Sequence, residues 1–129
     1  MFKKVIRYWL PPVLWMILIF WASSFHTLRA SPVNWQDFVI RKIAHFLEYL
    51  ILFVLFFRAF KGTTKLYSSI IYYLSFIISF LYAASDEFHQ TLVAGRSGMI
   101  RDILIDTIGI LFGSLFVLKT HKIRYKLPS

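Results

Sequence analysis

From Leu66 to Ser85 the chain carries no charged side chain, a run longer than the roughly 18 apolar residues that mark a helix able to cross a bilayer. Inside the hydrocarbon core a backbone must satisfy its own hydrogen bonds, and a single segment does so only as a helix. Three further apolar runs cover Tyr8 to Ser24, Ile43 to Phe57 and Ile103 to Leu118. Each is short or interrupted, by Glu48 in the second and Asp106 in the fourth, so each must borrow flanking residues to span. Lysine and arginine can reach toward the interface and tryptophan and tyrosine sit well there, so the borrowing costs little. The composition supports lipid as the solvent: 58% of the residues are hydrophobic and 19% aromatic, against roughly 45–50% apolar in soluble domains. The expectation is an all-α, single-domain bundle over residues 1–129, with four spans at about 8–25, 40–58, 66–87 and 102–119.

The first span, "YWLPPVLWMILIFWASS", follows a basic stretch and could be read as a signal peptide. Pro11 and Pro12 with Trp15 and Trp21 favour a retained anchor, kinked or Pro-started, with an aromatic belt. Ser31 before Pro32 has the form of an N-cap with proline at the first helical position, so helix two is expected to start near Pro32, with Trp35 at the interface.

The formal net charge is +9, but the basic residues flank the apolar runs instead of gathering on one face with stacking aromatics. That is the membrane pattern and argues against a nucleic-acid partner. With the N-terminus inside, Lys3, Lys4, Arg7, Arg58, Lys61, Lys65, Lys119, Lys122, Arg124 and Lys126 lie inside, ten of the fifteen basic residues, and both termini are cytoplasmic. All six acids, Asp37, Glu48, Asp86, Glu87, Asp102 and Asp106, then fall toward the outside. Acids contribute little to orientation, so their segregation needs another reason.

That reason is a polar cluster. In "RKIAHFLEYL" the i, i+4, i+7 spacing lines up Arg41, His45 and Glu48 on one helix face, beside Lys42. Helix three ends in "SDEFHQ", offering Asp86, Glu87, His89 and Gln90 at a C-terminus whose dipole disfavours acids. Arg41, Lys42, Arg96 and Arg101 are the cations available to compensate them, with Gly95 and Gly98 permitting a tight turn around Arg96. Helix four places Asp102 and Asp106 one turn apart and continues the stripe with Gly109 and Gly113, a small-residue face suited to close helix packing. An acid at mid-bilayer costs roughly 2.5–3.5 kcal/mol on insertion scales, so such residues face protein or water and mark function by default. The competing explanation is an ion-pair lock between helices, for which average membrane polar contacts of about 0.6 kcal/mol are a poor return.

Two chemistries remain open. His45, Glu48, Asp86 or Glu87, His89, Asp102 and Asp106 have the donor types for a divalent metal, without a diagnostic spacing motif. Alternatively Lys42, Arg96 and Arg101 hold an anionic lipid or cell-wall precursor headgroup while Glu48, Asp86 and Asp102 orient them. We favour the anion, because the cations balance the acids without a metal. A membrane-embedded hydrolase or transferase would use His45, Glu48, Asp86 or Asp102 as general base or acid. A proton-coupled transporter is disfavoured, because no acid lies toward the inner half. His26 and His121 are expected in loops, and the tyrosines and phenylalanines are expected to face lipid or pack.

Ser23-Ser24, "KIAHFLEYLIL", "SDEFHQTLVAGR", Asp102, Asp106 and Gly109 together resemble the VanZ family of small bacterial membrane proteins, over about residues 8 to 118. The resemblance implies a four-span protein of the cell envelope and, through the family's namesake, a link to resistance against the glycopeptide teicoplanin. The matching positions are Lys42, His45, Phe46, Tyr49, Asp86, Glu87, Gln90, Gly95, Arg96, Asp102 and Gly109. Ala94 departs from the family's proline in the turn before Gly95, and Asp106 from its usual asparagine, which adds a negative charge.

Overall fold

The computed structural model describes residues 1–24, 34–92 and 100–126, with backbone only beyond residue 120. Four helices account for them: α1 (Phe2–Ser23), α2 (Asn34–Thr63), α3 (Ser68–Leu92) and α4 (Ile100–Lys126). Each contains a window apolar enough to cross a membrane, with mean hydropathy between 1.5 and 1.9. Between 11% and 33% of each window is buried inside the bundle. Most of the remaining surface is apolar, including Leu14, Ile17, Leu81, Phe88, Leu115 and Phe116, and a surface of that kind is suited to lipid and not to water.

The helices outrun the apolar segments that announce them. At 30 residues, α2 is about 45 Å long at 1.5 Å per residue, against a hydrocarbon core of about 30 Å. Its first turns hold because Asp37 stands near the positive end of the helix dipole and accepts a bond from Arg41 Nε one turn on, at 2.9 Å. Helix α1 runs uninterrupted from Phe2 through Pro11 and Pro12, so the prolines lie inside the helix and do not start it. Trp15 Nε1 donates to the Glu48 carbonyl at 2.9 Å, which ties α1 to α2 as part of the bundle. His121 falls within α4, not in a loop. Ser31, Pro32 and His26 lie outside the described residues, as does the whole connection from 93 to 99 with Gly95, Arg96 and Gly98.

Helix α2 is the hub, packing against the other three; α3 also packs on α4 and lightly on α1. Side-chain pairs fix the directions. Tyr8 meets Gly62 and Trp9 meets Thr63, whereas Trp15 meets Glu48, so α1 and α2 run antiparallel. Lys42 meets Asp102, His45 meets Asp106 and the Phe46 carbonyl faces Gly109, so α2 and α4 run parallel. The bundle is therefore up-down-up-down with both termini at one end. Glycine makes the α2–α4 crossing possible. A Cβ at Gly113 would sit 2.7 Å from the Leu50 carbonyl oxygen, and one at Gly109 would run into the Phe46 carbonyl. These are backbone atoms, which cannot swing aside, so the close approach requires the small residues.

Candidate functional site

The polar cluster lies at the bundle end opposite the termini, where α2 and α4 begin and α1 and α3 finish. Helical rise puts His45, Asp86, Glu87 and Asp106 at least one turn inside that end: Asp106 is six residues, or about 9 Å, beyond the start of α4. His45, Asp86, Glu87, Gln90, Asp102 and Asp106 are all buried.

Four side-chain contacts build the centre. Lys42 Nζ donates to Asp102 Oδ1, joining α2 to α4 nearest the rim. One turn deeper, His45 Nδ1 donates to Asp106 Oδ1 at 3.0 Å. On the α3 side, Asp86 Oδ2 accepts from Tyr49 and from Gln90 Nε2, both at 3.3 Å. Two carboxylate oxygens in this group, Asp86 Oδ1 and Asp106 Oδ2, are buried with no hydrogen-bond partner among the described residues. Buried polar atoms are nearly always partnered, so such atoms ask for an explanation in water or an ion.

The stripe geometry accounts for the meeting. On α3, Ser75, Ser79, Ala83, Asp86 and Gln90 are all buried and recur at three- and four-residue spacing, giving a narrow small-and-polar face. On α4, Asp102, Asp106, Gly109 and Gly113 form the corresponding face, and all the contacts just described for them are with α2.

Several residues take other positions than the sequence suggests. Arg41 pairs with Asp37 on its own helix, so it does not compensate the acids of α3. Asp86 is held by a phenol and an amide, not by a cation among the described residues. His89 turns toward α1: its Nδ1 is 3.4 Å from Ser23 Oγ and its ring stacks on Phe20 with centroids 4.4 Å apart. Glu48 is half-buried nearly two turns deeper than Lys42, its backbone carbonyl held by Trp15. Arg96 is outside the described residues. Arg101 is exposed, with its guanidinium 5.0 Å from the centre of the Phe38 ring; Lys42 Nζ lies 5.2 Å from the same ring. Two cations from different helices are thus gathered at one aromatic side chain on the rim.

Tyr49, a position that the resemblance matches but that the apolar run by itself would assign to packing, belongs to the centre. It is fully buried and donates to Asp86. The usable signal is its position one turn after His45 on the inward face.

The family model VanZ/LLP1 matches residues 8–121, nearly the whole chain. The chain belongs to the VanZ-like family. With four helices able to cross a membrane, it is a VanZ-like multi-pass membrane protein. No curated protein and no solved structure is significantly similar to it.

Proposed function

We propose that this VanZ-like protein binds the anionic headgroup of a membrane lipid or a lipid-linked cell-wall precursor, at the polar end of its bundle and on the outer side of the bacterial cytoplasmic membrane. The observation that carries the reading is the convergence of Lys42 and Arg101 on Phe38. Cations on an aromatic platform present a headgroup phosphate with charge-assisted donors close to the depth where phosphates lie. Asp102 holds Lys42 in place from below, and Arg96, at the α3–α4 connection, would add a third donor. The outward assignment follows from the basic residues crowding the other end. A contribution to glycopeptide resistance is suggested by the family alone.

Native mass spectrometry of the detergent-extracted protein tests the reading. Wild type is expected to retain an anionic lipid or precursor, and the Arg96→Ala and Arg101→Ala variants to lose it while inserting normally. Full retention by both variants would refute it.

A second reading has its own observation. The buried His45–Asp106 pair has the arrangement of an acid–base dyad, as a hydrolase or transferase acting on a lipid-linked substrate would need. Turnover of a lipid pyrophosphate that stops in His45→Gln would favour it over simple binding.

A further inference from the structure

His45 of α2, Glu87 of α3 and Asp106 of α4 each offer one ligand atom, and these atoms all lie within 4.8 Å of one another. The three side chains belong to residues 9%, 3% and 0% exposed, so this is an enclosed group and not a surface patch of acids. Each comes from a different helix. Their meeting is a product of the tertiary fold, and the α2–α4 glycine contacts described above hold two of the three at close range.

The geometry is near that of a coordination shell. Neighbouring ligands of a tetrahedral zinc with bonds of about 2.0–2.1 Å stand roughly 3.3 Å apart. His45 Nδ1 and Asp106 Oδ1 are already 3.0 Å apart. Bringing the widest pair of the trio to the same spacing takes side-chain movements of under about 1 Å each.

A second observation points to a cation independently of this spacing. Asp106 Oδ2 is buried with no hydrogen-bond partner among the described residues, and so is Asp86 Oδ1 in the neighbouring carboxylate. A carboxylate oxygen removed from water with no donor is costly. A divalent ion meets both needs of such a place, supplying positive charge and coordinating oxygen directly.

We propose that His45, Glu87 and Asp106 form the protein shell of a divalent transition-metal site. One imidazole and two carboxylates suit zinc or manganese, and the mixture disfavours magnesium, which prefers an all-oxygen, largely hydrated shell. Three protein ligands leave a further position for water or for an oxygen of a bound ligand. The inference goes beyond the headgroup reading and does not depend on it, since Lys42 and Arg101 take no part in the shell.

The test is metal binding by the full-length, tag-free protein in detergent, first stripped with chelator and then titrated with Zn²⁺, Mn²⁺ or Mg²⁺. Wild type is expected to bind about one zinc or manganese per chain, with Mg²⁺ failing to compete. Asp106→Asn and His45→Gln, both near-isosteric, should weaken binding at least tenfold, while Arg101→Ala leaves it unchanged. Wild-type occupancy below about a tenth of an ion per chain, or variants that bind as wild type does, would overturn the proposal. Co²⁺ provides a readout that needs no variant. Intense visible bands of a low-coordinate site are expected, and the weak spectrum of the hydrated ion would overturn the proposal equally. Loss of lipid retention in Arg101→Ala with metal binding intact separates the two readings.

Discussion

The two ends of the bundle solve the same packing problem with different materials. At the end bearing the termini, α1 and α2 are joined by aromatic rings: Trp9 stands edge-on to Phe60 with centroids 5.0 Å apart, Trp9 Nε1 donates to Thr63, and Tyr8 lies over Gly62. The polar groups there, Arg58 and Lys61, line a groove of about 530 Å³ with Tyr8 and Thr120. At the other end, the same helices converge on buried carboxylates, an imidazole and a lysine. At the first end aromatic rings join α1 and α2 with no buried carboxylate there among the described residues. The buried polar groups of the second end are the ones that the proposed ligand binding would use.

The sharpest way to break this contrast is at the glycines. Gly109 faces the Phe46 backbone, whereas Gly62 faces the ring of Tyr8, which can turn away. Gly109→Val should destabilise the bundle by about 3 kcal/mol, at the top of the usual range for overpacking and well above the modest propensity terms. The check is unfolding in mixed micelles, and a wild-type midpoint would show that the α2–α4 approach is looser than described.

Next in size is the rim ion pair. The Lys42 and Asp102 side chains are 19% and 10% exposed, so Lys42→Ala leaves a largely buried carboxylate uncompensated. A cost of about 1–3 kcal/mol is expected, below the full penalty of a completely buried pair because some water reaches the site. The Lys42→Met/Asp102→Asn double variant should recover most of that loss. A double variant no more stable than the single one would mean that the two groups do not interact.

Gly62→Ala should have the smallest effect, under about 1 kcal/mol, since a shifted Tyr8 ring offsets part of the gain in helix propensity. A loss as large as that at Gly109 would remove the distinction between the two ends.

The helices were legible in the sequence because lipid leaves the backbone few choices, and hydropathy reads directly on that constraint. Their ends were not, because a helix continues past the apolar run wherever local contacts support it, as Asp37 with Arg41 does at the start of α2. In the site, spacing on a single helix was informative: Asp102, Asp106, Gly109 and Gly113 share the face that packs. Pairing between helices was not. Arg41 had a partner one turn away on its own helix, which spacing cannot rank against a distant acid. Glu87 and His89 were grouped together, yet residues two apart stand about 200° apart around a helix, so one joins the centre and the other meets α1. Tyr49 is singled out only by the family resemblance, because its phenol matters only once Asp86 is brought opposite.

The central claim is that the polar end faces the outside of the membrane and the basic, aromatic end the inside. The chain has no cysteine, so single cysteines can report on each end. Leu92, 71% exposed at the end of α3, and Tyr67, 81% exposed just before its start, mark the two sides. With a membrane-impermeant maleimide on intact spheroplasts, Leu92→Cys should label at once and Tyr67→Cys only after lysis. Labelling of Tyr67→Cys in intact spheroplasts, with Leu92→Cys protected until lysis, would contradict the account.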